Sequence, residues 1–388
     1  MAARHRKIAA PSTSLEQLLA ANEVVVTCGV GKTTSAAALG AMAAAHLGGR
    51  VLVLTVDPAK RLANALGLEA FGNVECEVPR SAFTDAGIEP RGRLFAAMLD
   101  TKASWDDLVR LHAPDEATLD AILANPLYQN ITGKFVQSHD YIAMERLYEI
   151  HSSGRYDLIV VDTPPTRDAI DFLEAPDRMA EFFGSRLLRG LTAAARSRVR
   201  NYASKPFDAI ADRILGSQFL QDIGEFFLLF QTMYEGFVER SRAVSRLLED
   251  HGTTFVVVST LEPAPAQEAE FFVEALAERK LALGALVFNK VLPTDLFSPE
   301  AAKVAERLDR DAGPVAAAVA DEVPDTEQAT RVLEEVAASF LNYRLVASRE
   351  SEEAARLGVA AEVVATVPYL ADDVHDLAGL LAIGRHLW

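Results

Sequence analysis

The sequence predicts an α/β protein with a mostly parallel sheet, helices on both of its faces and a large helical insertion. Short, continuous apolar runs alternate with helix-length segments, which is typical of strands buried on both faces. The first run also leads through a glycine-containing turn into an alanine-rich helical pattern, as in a strand–turn–helix unit. The predicted strands are residues 23–27, 51–57, 94–99, 157–162, 254–259, 285–289 and 363–367.

Composition and charge narrow the class of protein. The chain has 388 residues, of which 50% are hydrophobic and 24% charged, the balance of a soluble globular protein. Its formal net charge of -17 argues against nucleic acid as a partner. Cys28 and Cys76 are far apart and form no CxxC pair, which predicts neither disulfides nor a zinc knuckle and fits a reducing cytoplasm. Neither a signal peptide nor a membrane span is expected.

Two long helical stretches interrupt the alternation. Residues 168–252 show apolar and aromatic groups at helical spacing, and we interpret them as an insertion within one domain that spans 1–388. Residues 299–357 form a second helical elaboration, rich in Ala, Glu and Arg, with a break expected at Gly313–Pro314.

The turn after the first run has the residues of a phosphate-binding loop, with Gly29, Gly31, Lys32, Thr33 and Thr34 as candidates. Gly31 lets backbone amides curl around an anion, Lys32 supplies a positive charge to the β- and γ-phosphates, and the Thr33 hydroxyl is a ligand for Mg²⁺. The alternative is a lysine at an ordinary helix start.

This loop is shorter than the full pattern. A glycine is expected five residues before Gly31, where the chain has Val26 inside the predicted strand, so about three residues are missing. Because the backbone amides of the loop are the binding site, a short loop should bind phosphate weakly.

Two aspartates end neighbouring apolar runs. Asp57 is placed to orient an attacking water or to reach the metal's water shell, although Asp followed by Pro also caps helices. Asp162 is placed to hold a metal through water, unless it simply ends a buried strand. The loop after Asp162 is stiffened by two prolines, so that movement at a γ-phosphate would be transmitted. Its residues are Thr163, Pro164, Pro165, Thr166 and Arg167.

The motifs VGKTT, DPAKRL, DTPPTR and VFNK, in this order and spacing, resemble the ArsA family. That family contains arsenite-pump ATPases and ATPases that target tail-anchored membrane proteins, and the chain is most similar to the branch labelled anion-transporting ATPases. The resemblance covers most of the chain. It implies a P-loop NTPase fold of the SIMIBI class, ATP and Mg²⁺ as cofactors, and a cytoplasmic ATP hydrolase that works as a dimer.

The resemblance also implies roles for individual residues. Asp57 would be the water-orienting residue of switch I, and residues 162–167 would form switch II. Asn289 would read the adenine edge, and Pro368 and Tyr369 would lie against the base. Ordinary alternatives remain open, since Asn289 is also suited to capping a strand and Pro368 to ending one.

Two features depart from the family pattern. No lysine precedes Lys32 in the loop, so the lysine that reaches across the family's dimer would have to come from a related subunit. A homodimer and a heterodimer therefore both remain open. The family's metalloid-binding cysteines and its zinc-binding CxxC have no counterpart, so neither arsenite transport nor a zinc-stapled homodimer is expected.

The insertion offers a third candidate site. Its phenylalanines form either a groove for an apolar helix of a client or membrane-protein partner, or the insertion's own core, which we favour. They are Phe182, Phe183, Phe219, Phe226, Phe227, Phe230 and Phe237. Nearby arginines form a solvated face, or a contact with an acidic partner or with lipid headgroups at the membrane periphery. They are Arg186, Arg189, Arg196, Arg198 and Arg200.

These observations favour an ATPase in which ATP closes the switch loops and hydrolysis releases them. The alternative is a non-hydrolysing scaffold subunit of a heteromeric ATPase, with a degenerate phosphate loop. A small-molecule kinase is a weaker alternative, because the insertion shows no acceptor site with convergent polar groups.

Overall fold

An eight-stranded sheet forms the centre of the computed structural model, in the order β3-β4-β2-β5-β1-β6-β7-β8. The residues described are 14–56, 61–68, 73–126, 128–129, 136–164, 170, 173–178, 181, 226–228, 231, 234–319, 325–370 and 373–388. The strands are β1 (Val24–Gly29), β2 (Arg50–Thr55), β3 (Cys76–Glu77), β4 (Arg93–Met98), β5 (Leu158–Asp162), β6 (Thr253–Ser259), β7 (Leu283–Val291) and β8 (Val363–Pro368).

All seven predicted strands are present, and their neighbours in the sheet pair in parallel. The mostly parallel α/β fold is therefore confirmed. The two-residue strand β3 was not predicted, since two residues carry no periodic signal, and it pairs antiparallel with β4 at the sheet edge.

Helices cover both faces of this sheet. Those before β6 are α1 (Leu15–Ala21), α2 (Lys32–His46), α3 (Arg61–Ala65), α4 (Arg80–Asp85), α5 (Thr101–His112), α6 (Glu116–Ala124), α7 (Val136–Ser152) and α8 (Tyr234–Leu248). Those after it are α9 (Pro263–Glu278), a 3₁₀ turn (Thr294–Phe297), α10 (Pro299–Ala318), α11 (Thr326–Gly358) and α12 (Leu377–Leu387).

Alternate residues of each central strand enter two separate cores. In β1, Val24 and Val26 face the core that holds Tyr141 of α7, whereas Val25 faces the core built on α2 and α12. Val24, Val25 and Val26 are all fully buried, which explains why such strands appear in the sequence as continuous apolar runs. The alanine-rich segment of α2 is buried from Ala36 to Ala45, so its small side chains let the helix lie close to the sheet.

The second helical elaboration is interrupted close to the predicted position. Non-helical backbone at Asp311 kinks α10, and the helix then continues to Ala318. The proline ring collides with the preceding turn and removes one backbone hydrogen bond, so the distortion lies N-terminal to Pro314. The predicted interruption is therefore present, two residues before Gly313–Pro314, and the connection to α11 lies after Ala318.

Little of the 168–252 insertion falls in the described ranges. Phe226 and Phe237 are buried in the core on the α7 face of the sheet, which agrees with the core-packing interpretation. The residues Phe182, Phe183, Phe219, Phe230 and the five arginines between 186 and 200 lie outside the described residues. Among the helices that the structure describes, none combines the length and apolarity needed to cross a membrane.

Candidate functional site

The carboxyl ends of three neighbouring strands place the candidate site at one edge of the sheet. β5 lies between β1 and β2, and its last residue, Asp162, is in register with Thr27 of β1 and with Thr55 of β2. In open α/β sheets this edge is where ligands bind. The turn after β1 and the Asp162 carboxylate are therefore brought together by the order of the strands.

The turn between β1 and α2 is short. β1 ends at Gly29 and α2 begins at Lys32, with Val26 buried inside the strand. Gly29 and Gly31 have φ of +100° and +91°, which only glycine adopts without strain. A Cβ on Gly29 would lie 1.9 Å from the Val258 carbonyl oxygen, so the turn is pressed against β6.

The backbone amides of this turn are only partly free for a ligand. The Val30 N–H donates to the Val258 carbonyl oxygen at 2.8 Å. The N–H groups of Lys32, Thr33 and Thr34 lie in the first turn of α2, where an α-helix offers them no acceptor. The positive end of the α2 dipole is thus open to an anion.

Lys32 is paired with Asp162. The Lys32 Nζ lies 3.5 Å from Asp162 Oδ1, and the two side chains are 9% and 0% exposed. The other carboxylate oxygen of Asp162 accepts a 2.9 Å hydrogen bond from the Thr55 hydroxyl. Burial raises the pKa of the neighbouring Cys28 thiol far above its ordinary value despite the charge of Lys32, so Cys28 is a structural side chain and not a nucleophile.

The loop after Asp162 begins in a fixed position. The Thr163 hydroxyl donates to the Thr27 carbonyl oxygen at 2.8 Å, and both Thr163 and Pro164 are buried. The rest of this loop (Pro165, Thr166 and Arg167) lies outside the described residues, as does Asp57.

A cleft of about 550 Å³ opens beside the N-terminus of α2. It brings together five of the predicted nucleotide-binding residues. These are Thr33, Thr34, Asn289, Pro368 and Tyr369. The remaining lining residues include Leu62 and Ala65 of α3 and His375 before α12. Lys32 and Asp162 are not part of the lining.

Two kinds of chemistry line the cleft. The α2 amides and the Thr33 hydroxyl form one group. The other consists of the Asn289 amide, Pro368 and Tyr369, which is 61% exposed and whose N–H donates to the Val291 carbonyl oxygen at 2.9 Å. Asn289 also contacts the turn, since a Cβ on Gly31 would lie 2.3 Å from its Nδ2.

These residues fit a nucleotide and Mg²⁺. The volume is in the range of small-molecule pockets. Helix N-terminal amides suit phosphate, and an amide with an aromatic ring suits a base edge and face. The Thr33 hydroxyl and the Asp162 carboxylate supply the oxygen ligands that Mg²⁺ prefers.

Some features of the site were not predicted. The Thr55 hydroxyl, which holds Asp162, comes two residues before the candidate Asp57, and its position at a strand end was the available signal. The hydrogen bond from the Val30 N–H to the Val258 carbonyl oxygen could not be predicted from the sequence, because it depends on β6 lying beside β1.

Comparison with known families agrees with this geometry. A family model described as anion-transporting ATPase, ArsA_ATPase, matches residues 24–312, which include β1, the turn, Asp162 and Asn289. The chain belongs to the ArsA ATPase family. As an ArsA-family protein it is related to ATPases, and the resemblance inferred from the VGKTT, DTPPTR and VFNK motifs is confirmed.

Individual relatives of this ArsA-family chain are similar at modest identity. An uncharacterized protein of Streptomyces coelicolor is 30% identical over 268 residues, covering 69% of this chain and 61% of that protein. ATPase GET3 of Komagataella phaffii is 23% identical, with coverages of 69% and 71%. A putative arsenical pump-driving ATPase 2 of Aquifex aeolicus is 24% identical, with coverages of 68% and 78%.

Proposed function

We propose that this chain binds and hydrolyses Mg-ATP in the cleft beside α2. The observation that carries the proposal is that one cleft joins the N-terminus of α2 to Asn289, Pro368 and Tyr369. The first group suits phosphate and the second suits a base, so one cleft offers partners to both parts of a nucleotide. Membership of an ATPase family supports the same assignment.

In this proposal, each residue of the site has its own role in binding or hydrolysis. The Thr33 and Thr34 amides bind phosphate, and Lys32 moves from Asp162 toward the phosphates when they arrive. The Thr33 hydroxyl and Asp162 would hold Mg²⁺, which would neutralise charge on the phosphates. Asp57 orients the attacking water, a role that rests on the family resemblance.

We further propose that nucleotide acts through the loop that follows Asp162. Thr163 ties the start of this loop to β1, so a shift of Asp162 is transmitted along residues 163–167. The output would be a rearrangement in a dimer, homomeric or with a related ATPase, that acts on an apolar helix or a membrane-protein partner. The expected location is the cytoplasm or the membrane periphery.

One observation favours the second candidate, a non-hydrolysing scaffold subunit. The Val30 amide is already bonded to Val258, and the connection from Gly29 to Lys32 leaves few other amides to surround a triphosphate. Under this alternative the chain contributes binding surface, and a related subunit performs the hydrolysis.

Steady-state hydrolysis of Mg-ATP by the purified chain distinguishes the two candidates. The ATPase proposal expects turnover that is lost in Lys32→Ala and unchanged in Lys102→Ala, a lysine whose side chain is 60% exposed and paired with Asp106 on α5. Equal turnover in both variants would contradict it. If the native chain has no turnover but a Gly-rich insertion of about three residues between Gly29 and Val30 creates it, the scaffold candidate is favoured.

A further inference from the structure

α10 and α11 form a long hairpin, which we call the arm. α11 has 33 residues and so extends about 50 Å. Its C-terminal end is fixed to the domain, because Leu357 enters the sheet core and Arg356 forms an ion pair with Glu270 of α9. Further out, the two helices meet through buried alanines that belong to neither sheet core. These are Ala302, Ala305, Ala312, Ala316, Ala337 and Ala347.

Two stripes of residues run along α11, each with alternating spacings of four and three. One contains the buried Ala337 and Ala347 and faces α10. The other is open and is made of Val332, Val336, Ser339, Tyr343 and Val346. The four large residues of the open stripe are 50%, 55%, 56% and 44% exposed.

An exposed apolar stripe with this spacing is typical of the seam of a coiled coil. Alanine contacts between two helices bury little apolar area, so they stabilise a projecting hairpin only weakly. A surface that exposes four large apolar residues in one line is typical of an interaction site. We therefore expect a further helix to pack against the open stripe of α11.

We propose that the open stripe binds the same stripe of a second copy of this chain, with the two α11 helices antiparallel. A twofold axis near Leu341 sets Val336 opposite Val346 and Ser339 opposite Tyr343. Each layer then pairs an a position of one helix with a d position of the other, as in antiparallel coiled coils. The small Ser339 side chain leaves room for the Tyr343 ring.

Charge agrees with the same alignment. Glu335 and Arg349, both exposed, lie on the same flank of the stripe. The antiparallel arrangement sets Glu335 of one copy against Arg349 of the other, twice in each dimer. A parallel alignment in register would instead set Glu335 near Phe340 and form no such pair. The stripe is thus complementary to the same stripe of a second copy in the antiparallel direction.

This interface is separate from the nucleotide cleft. The ArsA family model ends at residue 312, so α11 lies beyond the matched region. Among the described residues that line the cleft, none belongs to the arm. The arm pairing therefore does not rest on the proposed ATPase function, and it should occur without nucleotide.

Charge reversal on the full chain, without nucleotide, tests the alignment by sedimentation velocity. Glu335→Arg and Arg349→Glu should each weaken self-association by roughly tenfold or more, because both ion pairs become repulsive. Mixing the two variants should restore association as a heterodimer, since every flanking pair is again opposite in charge. The double variant should self-associate like the native chain.

Two further variants complete the test. Val336→Glu places a charge in the seam and should give a monomer, whereas Glu334→Arg changes the adjacent glutamate, which faces away, and should leave association unchanged. Circular dichroism confirms that each variant is folded. A native chain that stays monomeric at ~100 µM, where even weak specific dimers form, would overturn the proposal. So would dimers that Glu335→Arg and Arg349→Glu leave intact, and the stripe would then belong to another partner.

Discussion

The Lys32 ammonium lies 3.5 Å from a carboxylate oxygen of Asp162, and solvent reaches almost none of either side chain. The charge of Lys32 is therefore neutralised inside the protein. Under the proposed function, nucleotide would draw Lys32 away and a metal ion would replace it beside the buried carboxylate. Asp162 directly precedes Thr163, whose hydroxyl donates to the Thr27 carbonyl oxygen.

The Lys32–Asp162 pair should also affect stability. Lys32→Met leaves the buried carboxylate without its nearby positive charge, and we expect a loss of about 3 kcal/mol in the free energy of unfolding. Lys32→Met combined with Asp162→Asn should recover most of this loss, because no buried charge remains. Urea unfolding at neutral pH measures both. Equal stability of the native chain and the Lys32→Met variant would show that the pair is not coupled to folding.

The turn after β1 should tolerate no side chain at Gly29. Gly29→Ala combines a φ of +100° with a Cβ only 1.9 Å from a backbone oxygen, so we expect a loss above ~3 kcal/mol or failure to fold. Gly67→Ala is the matched control: its φ is +68° but no atom lies within 4 Å, and the cost should be about 1 kcal/mol. Thermal unfolding of the two variants gives the comparison, and equal costs would mean that the turn is not pressed against Val258.

A second buried ion pair fixes α8 on α7. The Arg240 Nε donates to Glu145 Oε1 at 2.6 Å, the Glu145 side chain is 4% exposed, and burial raises the pKa of Glu145 despite this partner. Arg240→Met should destabilise the protein by about 3 kcal/mol, and Arg240→Met with Glu145→Leu by much less. Chemical denaturation of both variants tests this. A double variant no more stable than the single one would show that packing, and not charge, determines the effect.

Stability should fall in mild acid because of His112. Burial, with a smaller effect of nearby Arg240, lowers the pKa of His112, whose ring also contacts Phe237. The unfolded chain then binds the proton more readily, so stability is complete above the ordinary histidine pKa and declines as pH falls toward the lowered value. Between about pH 7 and about pH 5 the melting temperature should fall less in His112→Gln than in the native chain. Parallel melting curves would exclude this role.

The sheet could be predicted because its evidence is local. Continuous apolar runs such as 157–162 indicate strands buried on both faces; in β1, for example, Val24 and Val26 are buried in one core and Val25 in the other. The break expected at Gly313–Pro314 is found at Asp311, because the distortion that a proline causes lies in the helical turn before it. Strand order depends on contacts between distant segments and had no comparable signal.

The site could be predicted in part. Asn289, Pro368 and Tyr369 were placed against a nucleotide by family resemblance, and the structure puts them on one cleft with Thr33. The bond from the Val30 amide to Val258 could not be predicted, since residues more than two hundred positions apart meet only through the sheet. The open stripe of α11 was not predicted, because the sequence does not show which residues of α11 are exposed and which face α10.

The central claim is that the cleft beside α2 binds a nucleotide, and calorimetric titration of Mg-ATP into the native chain tests it most directly. We predict saturable binding of one nucleotide per chain that Asn289→Leu and Tyr369→Ser each weaken by roughly tenfold. Both residues line the cleft, and Asn289 also contacts the turn at Gly31. Absence of binding by the folded native chain, or binding that neither substitution changes, would contradict the claim.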